Sequence, residues 1–209
     1  MAITYPIDMP SSPAPVDSVF GAAFNNISNQ SINNTRQVVR RPADLIVFEW
    51  TLPPMLRAQA AAWQAFGMSL KGSFGRFYAS DPDVNAMLGA ASGVWRVKGA
   101  SQVGDELIVD NTGQPSTADV YKAGDWFSVD DMLQMVLADV SSDGSGEVTL
   151  DISPGIPPGM APADNTQIRL ADSASHRGIF RLVDDRVDWR ADKISRYGIS
   201  FKAVQAWNT

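Results

Sequence analysis

Leu56 to Leu70 constrains this chain more than any other stretch, because it alone among the 209 residues repeats its apolar positions convincingly at helical spacing. Leu56, Ala60, Trp63, Phe66 and Leu70 recur three and four residues apart and share one face. Arg57, Gln59 and Gln64 fall elsewhere around the axis. Pro53 and Pro54 suit a first helical turn, where a missing N–H does no harm, and Gly72 is a natural stop. Phe74, Phe77 and Tyr78 then form an aromatic strand before Asp81-Pro82 ends the unit. An apolar stripe of this kind covers a core. With one helix available, the remainder must bury itself as sheet. The expectation is therefore a mainly β protein whose helix plugs the open side of a sheet.

Alternation supports that expectation on both sides of the helix. Ile46, Phe48, Trp50 and Leu52 alternate with Leu45, Val47, Glu49 and Thr51, within a strand-like run from Val38 to Leu52. Residues 1–9 alternate through Ile3, Tyr5, Ile7 and Met9, which predicts a strand that pairs with something. A Pro/Ser stretch, residues 10–18, follows as an extended arm. Asn25, Asn26, Asn29, Asn33 and Asn34 mark a turn-rich segment.

Past Ala90 the texture changes to short strand-like runs at Val94–Val97, Glu106–Asp110, Trp126–Val129, Met132–Val140, Glu147–Ile152 and Thr166–Leu170. Near-regular spacing of this kind predicts a sandwich or small barrel. Asp130-Asp131 and Ser141–Gly146 read as hairpin turns, and residues 153–162 as a proline-shaped loop. Longer alternation returns at Arg181–Val183, Arg186–Trp189 and Tyr197–Ala203. The expected organisation is one discontinuous domain of residues 1–90 and 176–209, with residues 92–172 inserted as a second β domain.

Composition narrows the function classes. Charged residues make up 19% of the chain, below the usual quarter, which favours faces covered by neighbours. The net charge of −6 and the lack of a basic block argue against specific nucleic-acid binding; Arg40-Arg41 is the densest basic point. The absence of cysteine excludes disulfides and zinc-thiolate sites. The opening MAITYPIDMP lacks a basic region followed by an apolar run, so it is not expected to act as a signal peptide, and no apolar run approaches the roughly 20 residues that span a bilayer.

No catalytic, cofactor-binding or metal-binding pattern emerges, and no enzymatic activity is expected. His176 is the sole histidine, in a polar SASHRG turn. Ser173, His176 and Asp184 assemble a triad only on paper, without the G-x-S-x-G elbow. Asp139 to Gly144 resembles the start of a calcium loop, but Leu150 stands where the bidentate glutamate belongs. Asp184, Asp185 and Asp188 lie close to Trp189 in sequence, the one carboxylate group to weigh for glycoside hydrolysis, and read as a solvated hairpin tip.

Several segments together carry a resemblance. They are the N-terminal arm and strand, the helix ending in Trp-x-Ala-Phe, and Gly72 to Pro82 (GSFGRFYASDP). Tyr121 to Phe127 (YKAGDWF), Met132 to Val136 (MLQMV), Asp188-Trp189 and Ile194 to Phe201 (ISRYGISF) continue it in order. The chain resembles the distal tail proteins of long-tailed, siphovirus-type bacteriophages. The resemblance implies a structural virion protein at the tail tip, made in the bacterial cytoplasm, which forms a ring, usually of six copies. It adapts the end of the tail tube to the tail-tip hub and host-recognition apparatus. Residues 1–90 and 176–209 would be a β-sandwich belt with one helix, and residues 92–172 a peripheral galectin-like or OB-like β-sandwich or barrel. Implied partners are further copies of the chain, the tail tube protein, the hub or tail-associated protein, and the end of the tape-measure protein. No membrane insertion and no cofactor are implied.

On that reading, Ile3, Tyr5, Ile7 and Met9 with the Pro-rich arm are candidates for strand exchange in the ring, and Arg40 and Arg41 for a partner interface. The acidic balance suits a lumen through which DNA slides without sticking. The alternative is a carbohydrate-binding tail-tip module contacting the host surface, with Trp95 and Trp126 as glycan contacts and Phe127 beside them.

Overall fold

The computed structural model describes residues 3–41, 44–193 and 196–207. The chain divides into two compact units, each built from separated stretches. Met1–Gly21, Ile46–Asp81 and Arg177–Thr209 make the first, and Ala22–Leu45 with Pro82–His176 the second. Both are sheet structures, and the described residues contain one α-helix.

The first unit is a mixed sheet. Its strands are β1 (Ile7–Asp8), β2 (Asp17–Ala23), β5 (Leu45–Thr51), β6 (Phe77–Ala79), β13 (Gly178–Leu182), β14 (Trp189–Ala191) and β15 (Tyr197–Gln205). They run in the order β1-β6-β13-β15-β5-β2, with β14 added to β15. β1 lies parallel to β6; the β6–β13, β13–β15, β15–β5 and β14–β15 pairs are antiparallel. The alternation of β5 does what its sequence implies: Ile46, Phe48 and Trp50 are buried between half-buried neighbours. Phe48 is the hub of an aromatic cluster, its ring 4.8 Å from Trp50 and 4.9 Å from Phe180.

Helix α1 (Arg57–Leu70) buries Ala60, Trp63, Phe66 and Leu70 of the expected stripe, whereas Leu56, the N-cap before it, is exposed. Phe66 meets Phe77 edge to face at 5.3 Å, and Trp63 lies 6.0 Å from Phe201. Complete burial of each such side chain stabilises the unit by roughly 1.5–3 kcal/mol. The helix begins after the prolines rather than on them, because Met55 bridges to Tyr197 through both its N–H (2.9 Å) and its carbonyl (2.8 Å). Leu56 offers no side-chain cap, and Gln59 Oε1 accepts its N–H at 3.4 Å instead. Lys71, at φ 53°, ends the helix one residue before Gly72. Glycine is required at 72 twice over: its φ is 72°, and a Cβ there would lie 2.8 Å from the Asp185 backbone.

The second unit holds a closed barrel. Its strands are β7 (Trp95–Val97), β8 (Gly104–Asp110), β9 (Trp126–Val129), β10 (Met132–Val136), β11 (Glu147–Ile156) and β12 (Gln167–Leu170), in the order β10-β11-β8-β7-β12-β9. All six pairs are antiparallel, and closure leaves this sheet without an edge. Leu107, Val109, Phe127, Leu133, Leu150, Ile152 and Ile168 fill the core. Trp95 is fully buried against Tyr121, with ring centroids 5.2 Å apart. Asp130 and Asp131, both at positive φ, form the two-residue turn between β9 and β10, as their sequence suggests. A buried carboxylate, Asp125, gathers the N–H groups of Leu88, Gly89 and Lys122 and ties their loops together.

Several sequence expectations change, among them the turn-rich asparagine segment, whose Asn26–Gln30 is a strand, and the run Arg186–Trp189, of which only Trp189 lies in a strand. The run from Val38 to Leu52 is two elements, because the strand β4 (Arg36–Arg40) leaves β5 for a different partner. β10 stops at Val136, four residues short of the expected end. Conversely, β11 continues through Ser153-Pro154-Gly155 to Ile156, where a loop was expected. The register shifts between Asp151 and Ile156, and such an irregularity accommodates a proline without an N–H. β4 pairs with β3 (Asn26–Gln30) as a separate two-stranded sheet of the second unit.

Candidate interaction surface

The β3–β4 hairpin has no counterpart elsewhere in the second unit. Its ladder runs in continuous register from Asn26 opposite Arg40 to Gln30 opposite Arg36. Every one of its ten strand residues is exposed, on both faces. Exposed apolar side chains accompany it: Phe24 before it, Ile27, Val38 and Val39 in the strands, and Ile32 wholly exposed at the tip. Ile27 lies directly opposite Val39. A lone two-stranded ladder is marginally stable in water. The hairpin therefore needs its own ties.

Those ties sit at its two ends. At the tip, Ser31 and Thr35 share a hydroxyl hydrogen bond of 2.6 Å, and Gln30 Nε2 donates to Asn34 Oδ1 at 2.6 Å. Asn34 adopts φ 61°, which asparagine tolerates better than most residues. At the base, Arg41 N–H donates to the Asn25 carbonyl at 3.0 Å. The Arg40 guanidinium reaches the buried Asp44 carboxylate at 2.9 Å and pairs with Asp105 of β8 as well. Asp44 also accepts the Asn25 N–H at 2.9 Å. Hydrogen bonding and charge from Asp105 and Asp44 push the Arg40 pKa up, so it stays a cation throughout. A Cβ at Gly155 would collide with the Asp105 carboxylate and crowd the Gly104 carbonyl at 2.8 Å. The glycine thus makes room for Asp105 to meet Arg40. Arg40, Arg41, Asp44, Gly104, Asp105, Gly155 and Ile156 line a small cleft at this base.

Arg40 and Arg41 are thus the sequence-derived interface residues that the structure brings together. The N-terminal group behaves differently. Ile7 lies in β1, its N–H donating to the Arg76 carbonyl at 3.0 Å, and Tyr5 donates its hydroxyl to the Ser69 carbonyl at 2.5 Å. Tyr5 also meets Phe74 edge to face at 5.9 Å. Met9 is half-buried and Ile3 is exposed. The expected nine-residue strand is a two-residue one, docked on its own sheet.

Of the two candidate glycan contacts, Trp95 has no exposed surface, and its indole N–H donates to Gln114 at 3.2 Å; it presents no ring face to a sugar. Trp126 is half-buried in β9, and Phe127 beside it is wholly buried.

Most of the residues weighed for chemistry have structural partners. His176, expected as a solvated or hydrogen-bonded turn residue, is buried. Its backbone N–H donates to the Ser173 carbonyl, its ring Nε2 has no hydrogen-bond partner among the described residues, and burial lowers its pKa to about 4 against a smaller opposing effect of Asp172. The Ser173 hydroxyl shares a hydrogen bond with Ser175. Asp185 accepts the backbone N–H and hydroxyl of Ser73, which hold its carboxyl below its ordinary pKa. Asp188 pairs with Arg186 at 2.7 Å, and Asp184 lines a polar cleft with Glu49 and Lys202. Asp143 accepts bonds from Ser145 and Glu147, closing the turn that resembled a calcium loop. Among the described residues, no three histidine, aspartate or glutamate side chains group as a metal site. No described helix is long and apolar enough to cross a membrane.

Sequence reading missed one pair. Glu106 of β8 and Asp151 of β11 are direct cross-strand neighbours, both exposed, and neither side chain has a cation partner among the described residues. Like charges so placed repel. Only the register reveals them, and nothing in sequence sets β8 against β11. Comparison with known proteins adds no family: no family model matches the chain, and neither does any curated protein.

Proposed function

We propose that this chain is a structural subunit of a ring at the distal end of a long-tailed phage tail tube, adapting the tube to the tail-tip hub. Two things support the reading. The first is the ordered set of segments, from the Gly72–Pro82 stretch to Tyr197–Phe201, that resembles distal tail proteins; Ile194 and Ser195 of that set lie outside the described residues. The second, which carries it structurally, is the β3–β4 hairpin. Both its faces are exposed, and it bears apolar side chains that its own unit leaves uncovered. Such an element gains stability when another chain covers it. In this reading residues 1–90 and 176–209 are the ring-forming belt and the inserted β domain, residues 92–172, is peripheral. The partners are further copies, the tube protein, the hub and the end of the tape measure.

Size-exclusion chromatography with light scattering, followed by negative-stain imaging of the full chain, tests the proposal. Rings of one copy number are the expected result. A monomer at every concentration, absent from any tail preparation, overturns it.

A further inference from the structure

The β3–β4 hairpin forms a sheet by itself, so both of its long edges are open among the described residues. Its hydrogen bonds show which main-chain groups lie on those edges. At the base the Arg41 N–H donates to the Asn25 carbonyl, and at the tip the Ser31 N–H donates to the Thr35 carbonyl. In an antiparallel ladder bonded and non-bonded pairs alternate, so the bonded pairs between these ends are Ile27 with Val39 and Asn29 with Gln37. Ser28 and Gln30 on β3, and Arg36 and Val38 on β4, therefore aim their N–H and C=O groups away from the ladder. Those groups take no backbone partner among the described residues.

The two edges differ in charge. β3 (Asn26–Gln30) has no charged residue, whereas β4 (Arg36–Arg40) has an arginine at each end. Two β4 edges paired antiparallel about Val38 would set Arg36 opposite Arg40 twice over, a repulsive arrangement. Two β3 edges would leave both β4 edges bare. A β4 edge against the β3 edge of another copy has neither cost. The hairpin's own ladder already shows that these two sequences pair as strands, with Ser28 opposite Val38 and Gln30 opposite Arg36. Repeated between copies, that register brings the outward main-chain groups of these same residues face to face. It also continues the row of Ile27 and Val39 from one hairpin to the next.

We infer that the hairpins of successive copies join edge to edge, β4 of one to β3 of the next, into a closed sheet with two strands from each copy. The inference rests on the ring reading and deepens it by naming both halves of one contact. A different edge on each copy makes the contact head-to-tail, which is the type that closes into rings. Rotation about an axis along the strands keeps their directions, so β4 meets the next β3 antiparallel, as it meets its own. Closure then leaves no edge, and a ladder too small to be stable alone becomes part of a larger sheet.

Sedimentation velocity of the full chain tests this with Ser28→Pro, Val38→Pro and the control Val38→Thr. Proline at 28 or 38 removes an outward N–H but no bond of the hairpin's own ladder. Each proline variant should associate about tenfold or more weakly than wild type, while Val38→Thr, which keeps the N–H, should associate normally. Circular dichroism melts matching wild type establish that the variants are folded. A second measurement does not depend on proline. The chain has no cysteine, so Ser28→Cys and Val38→Cys are made as separate proteins and mixed under oxidising conditions. Opposed residues of a bonded antiparallel pair stand about 5.5 Å apart at Cα, within disulfide reach. The mixture should yield covalent dimers in at least about tenfold excess over either protein alone. Wild-type rings without that cross-link, or with both proline variants assembling normally, overturn the inference and leave the ring reading standing. A monomeric wild type overturns both.

Discussion

Two antiparallel hairpins in the second unit share a local plan and differ in everything around it. Strands β9 and β10 are joined by the two-residue Asp130-Asp131 turn, and β3 and β4 by the tied turn from Ser31 to Thr35. Each forms a continuous ladder. In β9–β10, seven of nine residues are buried, because β12 and β11 flank the pair and complete a barrel. In β3–β4, all ten are exposed. The backbone hydrogen bonds are of one kind in both, so the ladder alone does not make either stable. Neighbours make the difference. One hairpin has them in its own barrel, and the other leaves its apolar and basic side chains exposed.

The contrast breaks most readily in the barrel. Leu133→Ala in β10 removes a wholly buried side chain and should cost about 2–5 kcal/mol in urea unfolding. A loss under about 1 kcal/mol would mean that the barrel is far less tightly packed than its burial implies.

Acid should expose a second buried contribution. An unfolded histidine takes up its proton near pH 6.5, whereas buried His176 does so only at about 4. Between those values the unfolded chain binds more protons, so stability falls as pH drops from about 6.5 to about 4, by up to about 3 kcal/mol. Above pH 6.5 the histidine is neutral in both states and this penalty is absent. Urea midpoints measured from pH 7.5 to 4 should decline less steeply in His176→Gln than in wild type. Parallel curves would show that the histidine is not held neutral.

The base of the exposed hairpin gives a smaller effect. Arg40→Met leaves Asp44 buried with the Asn25 N–H but no cation. Amide exchange across β3 and β4 should quicken by about tenfold, a local cost of about 1–2 kcal/mol, while barrel amides keep their protection. Faster exchange throughout the barrel would make Arg40 a global support instead. The smallest effect is expected further out. Ile27→Ser with Val39→Ser should change the chain's thermal stability by no more than about 0.5 kcal/mol. A larger loss would mean that the hairpin is already covered within its own chain.

What the sequence disclosed follows the same division. Burial leaves periodicity, so the helix stripe through Ala60, Trp63, Phe66 and Leu70 and the alternation of β5 are legible residue by residue. The Asp130-Asp131 turn is legible because few residue pairs tolerate positive φ twice in succession. The β3–β4 ladder is not, since strands exposed on both faces need no apolar alternation, and its asparagines read as turn residues. Pro154 misled for a related reason: a proline argues against a strand unless a register shift, invisible in sequence, accommodates it. Arg40 and Arg41 could be singled out as the densest basic point, but their separate duties could not. Nothing local to Arg40 announces Asp105, sixty-five positions later.

The position of β15 in its sheet has a consequence for how the protein is made. It lies between β13 and β5, yet it is the last of the described strands to leave the ribosome. The nascent chain presents β5 and α1 early, and their aromatic faces must wait through the synthesis of the whole barrel for the strand that joins them to β13. The barrel's strands, by contrast, emerge within one unbroken stretch and have all their partners before translation reaches Arg177. During synthesis the order of completion therefore inverts the order of appearance, and the unit begun first is finished last.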